Sequence, residues 1–136
     1  MTKDDILDII SDSGYCLFST VEGSQPRVRP LAPYYNADDN NLLVSLVPGS
    51  RTLEQIKENP LVEMCFVDRK MSFCRLSGKA KPSNVQSKKE LLWNNVPNLR
   101  QYFDGPQDPN FSLIEVDVEK VEAMSMELQS PVSVDF

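Results

Sequence analysis

The amino-acid sequence predicts a mainly β fold, an antiparallel β-barrel with short helices inserted between its strands. About six or seven short segments have the apolar, aromatic and β-branched composition of strands, and about three or four have the pattern of short helices. The two kinds of segment do not alternate regularly, which argues against a parallel, Rossmann-type sheet. With 136 residues and no internal repeat, the chain fits a single domain over residues 1–136.

The chain is predicted to begin with an amphipathic helix over 2–10. Thr2 and Asp5 have the spacing of a capping box, and three isoleucines follow at i, i+3 and i+4 on one face of the helix. Ser13-Gly14 ends the helix. A strand over 15–20 comes next, because that segment is rich in aromatic and small apolar residues.

The second strand, predicted over 27–35, is unusual in its proline content. Pro26, Pro30 and Pro33 lie in it or beside it. Since proline cannot donate a hydrogen bond to a neighbouring strand, we expect this strand to be bent, bulged or at the edge of the sheet.

A polar turn over 36–41 leads to a third strand over 42–47. The next segment, over 50–58, is predicted to be a helix with Leu53 and Ile56 facing inward. Asn59-Pro60 ends it, because proline disfavours the helical conformation of the residue before it.

The second half of the chain is predicted to hold four strands and two short helical segments. Gly78 indicates a bulge or a close approach of two backbones. The predicted strands cover 62–67, 71–80, 111–118 and 121–128, and the helical segments cover 87–94 and 97–103.

Composition excludes several classes of function. A net charge of −6 and a pI near 4.6 argue against a nucleic-acid-binding surface. The chain has no histidine, and Cys16, Cys65 and Cys74 form no CxxC pair. A Cys/His zinc site and a histidine-based catalytic triad are therefore disfavoured, and we expect no metal site. The cysteines lie in apolar, strand-like runs, which is typical of buried, reduced thiols.

No apolar run approaches the ~20 residues that a membrane-spanning helix needs, and the acidic N-terminus lacks the pattern of a signal peptide. We therefore expect a cytoplasmic protein with no membrane partner. The acidic residues Glu115, Asp117 and Glu119 alternate with valines, which predicts the exposed face of a half-buried strand. No pair of carboxylates has the signature of an acid and a base, so the catalytic residues are unknown.

Two segments together predict a phosphate site. Arg27 and Arg29 alternate along a strand and therefore share one of its faces. Ser50, Arg51 and Thr52 open a helix, where unpaired N–H groups attract anions and a guanidinium matches phosphate oxygens. Taken singly, each segment is explained at least as well by an ordinary helix cap or by ion pairs with surface carboxylates. Their order and spacing favour the phosphate site.

The same segments resemble those of a known family, the pyridoxamine 5'-phosphate oxidase-like flavin-binding split barrels, and especially its small general-stress-protein members. The resemblance covers residues 4–122. It rests on an ordered set of motifs: Gly23-Ser24-Gln25-Pro26-Arg27-Val28-Arg29-Pro30, Leu43-Val44-Ser45-Leu46, Gly49-Ser50-Arg51-Thr52, Asn59-Pro60, Arg75-Leu76-Ser77-Gly78-Lys79-Ala80 and Asp108-Pro109-Asn110-Phe111.

The resemblance implies a six-stranded antiparallel split barrel that forms a homodimer, with FMN bound in two equivalent clefts at the subunit interface. It implies that Arg29 and Arg51 hold the FMN phosphate with help from Ser50 and Thr52, and that Arg27 is a weaker candidate. The flavin ring would be lined by five further residues: Pro30, Leu31, Ala32, Ser45 and Leu46. The implied function is that of a flavoprotein oxidoreductase whose substrate and electron donor are unknown.

Three departures from the family pattern limit that implication. The oxidases carry an Arg-x-His signature that contacts the pyridoxal substrate, and this chain has no histidine. Thr52 replaces a lysine that follows the Ser-Arg pair, and Met124 and Met126 stand where small relatives often have an aromatic residue near the flavin. Pyridoxamine phosphate oxidation itself is therefore disfavoured. A non-catalytic flavin carrier or sensor, a cofactor-free interaction module and a deazaflavin-binding protein remain open, and haem is less favoured without a histidine ligand.

Overall fold

The computed structural model describes residues 1–136, which form three α-helices, one 3-10 helix and eight strands. The helices are α1 (Lys3–Ser13), α2 (Arg51–Glu58), α3 (Gln86–Asn95) and the 3-10 helix Pro97–Gln101. The strands are β1 (Cys16–Glu22), β2 (Gln25–Leu31), β3 (Tyr34–Asn36), β4 (Asn41–Leu46), β5 (Leu61–Val67), β6 (Phe73–Ser83), β7 (Ser112–Met124) and β8 (Val132–Ser133). None of the helices has the length and apolarity needed to cross a membrane.

The strands form one antiparallel sheet in the order β2-β1-β5-β6-β7-β4-β3, with β8 beside β7. This path is open at β2 and β3 and does not close through hydrogen bonds. Six of the strands have six or more residues, whereas β3 and β8 are short. The predicted mainly β architecture with six antiparallel strands is thus confirmed.

The proline-rich segment differs from the prediction of one strand over 27–35. It forms two strands, β2 and β3, which are separated at Ala32-Pro33 and lie at opposite ends of the sheet. Pro33 has no N–H to continue a ladder, which accounts for the break. The expected edge position of the proline-rich strand is confirmed for β2.

Strand β7 also differs, because it runs without interruption where the sequence predicted two strands. Its pairing with β6 shifts register between Ser77 and Gly78, which confirms the expected irregularity at that glycine. A Cβ atom at Gly78 would lie 1.9 Å from the carbonyl oxygen of Asp117, so the two backbones approach too closely for any side chain there.

Two apolar clusters lie on the sheet. The larger packs α1 and α2 against the sheet, and the smaller lies beneath α3 and the 3-10 helix. Cys16 and Cys74 belong to the larger cluster as free thiols, and burial raises the pKa of each to about 12. The prediction of buried, reduced cysteines is confirmed for these two, whereas Cys65 is only half-buried.

Candidate functional site

A cleft of about 560 Å³ lies beside the N-terminus of α2. Its walls come from the end of β2, from β4 and from the 3-10 helix. β2 and β4 are not hydrogen-bonded to each other, so the cleft lies where two separated parts of the open sheet approach. Seven of the residues predicted for the site line it: Pro30, Leu31, Ala32, Ser45, Leu46, Ser50 and Thr52.

The wall formed by the 3-10 helix was not anticipated from the sequence. It comprises the 3-10 helix and the residues next to it, among them Asn98, Gln101, Tyr102 and Phe103. Tyr102 is 75% exposed and places an aromatic ring at the cleft. The family resemblance implies such a ring near positions 124 and 126, where this chain has methionines. In the sequence, this wall is marked by two adjacent aromatic residues, Tyr102 and Phe103, at the end of a helical segment. In the structure, the Phe103 ring is buried and the Tyr102 ring is exposed.

The cleft contains no charged side chain. Its polar groups are the hydroxyls of Ser45, Ser50, Thr52 and Tyr102 and the amides of Asn98 and Gln101, and the rest of the lining is apolar. Burying a charge without a partner costs several kcal/mol. The cleft therefore suits a flat, uncharged ring with hydrogen-bonding edges.

The N-terminus of α2 offers backbone donors at one end of the cleft. Ser50 caps the helix, since its Oγ accepts a hydrogen bond of 3.2 Å from the N–H of Leu53. The N–H groups of Arg51 and Thr52 in the first turn have no partner within the helix. Because Ser50 and Thr52 face the cleft, an anion bound there would touch both the cleft and the helix N-terminus.

The three predicted arginines lie beside the cleft, outside its lining. In register, Arg27 pairs with Thr20 and Arg29 with Phe18, so both arginines share the sheet face that packs on α2. Arg27 and Arg51 contact Glu22, whereas Arg29 contacts Gln55, which also bonds to Glu22. We call Arg27, Arg29 and Arg51 the arginine cluster. The sequence did not anticipate the carboxylate that Arg27 and Arg51 share.

Glu22 is held by three side chains. Arg27 donates to Glu22 Oε1 from Nε at 3.2 Å and from Nη2 at 3.0 Å, and Arg51 Nη2 lies 3.5 Å from the same oxygen. Gln55 Nε2 donates to Glu22 Oε2 at 3.0 Å. The hydrogen bonds from Gln55 and Arg27 lower the pKa of the Glu22 carboxyl, which is therefore ionised at neutral pH.

Gln55 connects this carboxylate to the buried part of the site. Its side chain is buried, and its Oε1 accepts hydrogen bonds from the Thr20 hydroxyl and from Arg29 Nη2, the latter at 2.8 Å. Arg29 Nη1 also donates to the carbonyl oxygen of Phe18 at 3.0 Å. Arg29 is thus fixed by two acceptors, whereas the Arg51 side chain is 78% exposed and has a single long contact.

A second polar network supports the unanticipated wall. Glu115 on β7 is only 5% exposed, which contradicts the expectation that it lies on an exposed strand face. Lys88 of α3 donates to Glu115 Oε1 at 2.6 Å and to Asp39 at 2.6 Å, and Asn41 donates to the same Glu115 oxygen at 3.1 Å. Burial raises the pKa of Glu115, but the hydrogen bonds from Lys88, Ser83 and Asn41 and the charge of Lys88 outweigh that effect and the pKa falls.

Replacing Lys88 by methionine is expected to lower the free energy of unfolding by about 2 kcal/mol, because the buried Glu115 carboxylate would lose its main cationic partner. Urea unfolding of the Lys88→Met variant measures the loss. Lys89→Met, which removes a neighbouring cation that makes no ion pair in the structure, is the control. Equal stability of the two variants would contradict a supporting role for Lys88.

Comparison with known proteins gives a consistent family match. A family model described as pyridoxamine 5'-phosphate oxidase like matches residues 2–132. General stress protein 26 of Bacillus subtilis is 25% identical over 141 residues, which cover 98% of this chain and 96% of that protein.

Solved structures share the fold. A NimC/NimA family protein from Clostridium acetobutylicum superposes with a TM-score of 0.82 at 23% identity, covering 96% of this chain and 89% of the other. A pyridoxamine 5'-phosphate oxidase-related, FMN-binding protein from Nostoc punctiforme gives 0.75 at 16% identity, with 96% and 88% coverage. A heme-binding protein from Mycobacterium smegmatis gives 0.72 at 12% identity, with 92% and 55% coverage. Proteins that share this fold therefore bind more than one cofactor.

Proposed function

This chain belongs to the pyridoxamine 5'-phosphate oxidase-like family, and from that membership we propose that it is an FMN-binding flavoprotein with oxidoreductase activity. The observation that carries the proposal is the uncharged cleft that opens onto the capped N-terminus of α2 beside three arginines. The flavin ring would lie in the cleft. The phosphate would lie at the first turn of α2.

The ring end of the proposal is supported by the lining. Residues Pro30–Ala32, Ser45 and Leu46 provide one part of the lining, and the 3-10 helix and the residues next to it provide another. Amides and hydroxyls in this lining can meet the polar edge of a flavin without a charge penalty. Tyr102, exposed at the cleft, can stack on an aromatic ring.

The phosphate end is supported by the freedom of Arg51. This residue stands between Ser50 and Thr52, both of which line the cleft. Its largely exposed side chain makes one contact, at 3.5 Å to Glu22, so no packing prevents it from turning to a phosphate at the helix N-terminus once that contact is given up. Arg29 contributes a fixed positive charge nearby, and Arg27, bound to Glu22, contributes less.

FMN, when bound, would supply the electron or hydride transfer. The chain itself would bind the phosphate, orient the ring and limit access of water to the cleft. Tyr102 is the one titratable side chain in the lining, so the site offers no carboxylate, lysine or histidine for proton transfer. A reaction in this cleft would depend on the cofactor for its chemistry and on the protein for placement.

We further propose that a second copy of the chain completes the site. Leu17 and Val28 are 44% and 65% exposed on neighbouring strands at the edge of the sheet. Leu17 pairs in register with Pro30 of the cleft and with the half-buried Cys65, so this apolar face continues to the cleft. Light scattering on the purified protein should give a dimer. If the protein is monomeric and still binds flavin fully, the site does not need a second copy.

The direct test is an absorption spectrum from about 300 to 550 nm, recorded before and after incubation with FMN and removal of the excess. Flavin bands that stay with the protein support the proposal. A colourless protein after incubation would contradict it.

Replacing Arg51 by alanine is expected to weaken FMN binding by about 2 kcal/mol, roughly thirtyfold, because a charge-assisted phosphate contact is lost. A fluorescence titration of FMN measures the change. Lys57→Ala, which removes an exposed cation at the other end of α2, should leave the affinity within about twofold. Unchanged affinity for Arg51→Ala would exclude Arg51 from the site.

A non-catalytic flavin carrier or sensor is the second candidate. Two features favour weak or exchangeable flavin binding. Thr52 stands in place of a lysine, and Glu22 already binds two arginines, Arg27 and Arg51. Bound flavin that neither NADH nor NADPH reduces would support this candidate. Haem is disfavoured, because the cleft lining has no histidine or cysteine and only Tyr102 could ligate iron.

A further inference from the structure

Glu22 is the one carboxylate that contacts the arginine cluster, and it lies where an anion is expected. It accepts from Arg27 and Arg51 on one oxygen and from Gln55 on the other. Gln55 is buried and is itself fixed by Thr20 and Arg29. The carboxylate is therefore held by the fold next to the arginines and does not move freely in solvent.

The position of Glu22 relative to the first turn of α2 follows from its helix contacts. It touches Arg51 at the start of the helix and Gln55 four residues later, about 6 Å further along the helix axis. A phosphate at the N–H groups of Arg51 and Thr52 would be separated from the carboxylate by the length of the Arg51 side chain, which is comparable with the screening length of about 8–10 Å at 0.1–0.15 M salt. At that separation the two negative charges repel each other.

We propose that Glu22 determines the specificity of the cleft for phosphorylated against unphosphorylated flavin, by occupying the arginine cluster as an internal competitor of the phosphate. This inference rests on the proposed flavin function. To bind a phosphate, Arg51 must leave Glu22. The phosphate is also a second anion beside an arginine cluster in which Glu22 already neutralises one positive charge. Riboflavin has the same ring and no phosphate, so its binding neither displaces Arg51 from Glu22 nor adds an anion to the cluster.

The inference predicts a change in a ratio of affinities. Replacing Glu22 by glutamine removes the charge, keeps the shape and leaves Arg51 without an ionic partner. FMN affinity should rise about tenfold at low ionic strength and less at high salt, whereas riboflavin affinity should stay within about twofold of wild type. A residue that merely stabilised the fold would move both affinities together.

The experiment is a fluorescence titration of FMN and of riboflavin into wild type, Glu22→Gln and Glu58→Gln, at two salt concentrations. Glu58 is an exposed carboxylate at the end of the same helix, so its variant matches the change in net charge without touching the arginines. Thermal unfolding of each variant confirms that it is folded. A rise in the FMN-to-riboflavin affinity ratio for Glu22→Gln alone supports the inference.

Two other outcomes would overturn it. If both flavins bind and the ratio is unchanged or falls, Glu22 does not compete with the phosphate, and the flavin function stands without this inference. If wild type and both variants bind neither flavin, the proposed function fails and the inference fails with it. The riboflavin titration separates these two results.

Discussion

Replacement of Phe111 by alanine is expected to lower the free energy of unfolding by about 3–5 kcal/mol, the range for removal of a fully buried phenylalanine. Phe111 is 1% exposed and lies in the smaller apolar cluster. Its ring meets Phe103 edge-on at 5.2 Å and Trp93 at 6.3 Å. The cavity left by the ring would loosen the support of the cleft wall, so flavin affinity should fall as well.

Urea unfolding and a flavin titration of Phe111→Ala measure the two effects. For the stability measurement alone, Tyr102→Ala is the control, because it removes an exposed aromatic ring from the same wall and should change stability by less than about 0.5 kcal/mol. A loss below about 1 kcal/mol for Phe111→Ala would mean that the smaller cluster relaxes around the cavity and that the wall is not held by this ring.

Replacement of Gly78 by alanine is expected to cost about 3 kcal/mol or more, because the new methyl group would collide with backbone. Its Cβ would lie 1.9 Å from the Asp117 carbonyl oxygen and 2.9 Å from the Asp117 carbonyl carbon. To avoid this clash, the two strands would have to change their register shift. Since these are the two longest strands, the change would weaken the centre of the sheet.

Gly105→Ala is the matched control, since a Cβ there meets nothing within 4 Å. It should change stability by about 0.5 kcal/mol or less. Chemical unfolding curves of both variants decide the matter. A Gly78→Ala protein as stable as Gly105→Ala would show that the bulge adapts without cost.

The sequence predicts those parts of this fold that depend on neighbouring residues. Alternation of apolar and polar side chains located most of the strands, and the Thr2 capping box is present in α1 as expected. The edge position of β2 followed from its prolines, because a missing N–H is a local property. The break at Ala32-Pro33 was missed, although Pro33 carried the same signal.

Contacts between distant segments could not be predicted in this way. Alternation predicted that Glu115 is exposed, because the pattern describes the strand and says nothing of the helix that covers it. Lys88, 27 residues earlier in the chain, makes that burial possible. The 3-10 helix likewise reaches the cleft through tertiary packing, since its Leu99 and the following Phe103 share the smaller apolar cluster with Phe111, and no local pattern predicts that contact.

The arginines and the helix cap near the cleft were predictable from the sequence, and the carboxylate that contacts them was not. Arginines on one strand face and a capped helix N-terminus could be read from the sequence, and the structure brings them together. The role of Glu22 could not, because it depends on the turn that folds β1 back on β2 and on Gln55 one helical turn away. Which carboxylate reaches an arginine is decided by tertiary geometry.

The prolines of β2 have a consequence for how this protein can polymerise. Pro26 and Pro30 both pair with β1, so the nitrogen of each, along with the N–H of Val28 between them, points outward from the sheet edge. Two of these three outward positions therefore lack a donor, and an extra strand could not form a regular ladder there. Edge-to-edge growth into ribbons or fibrils is blocked on this side. The exposed side chains of Leu17 and Val28 remain available to a neighbour that approaches the broad surface of the sheet.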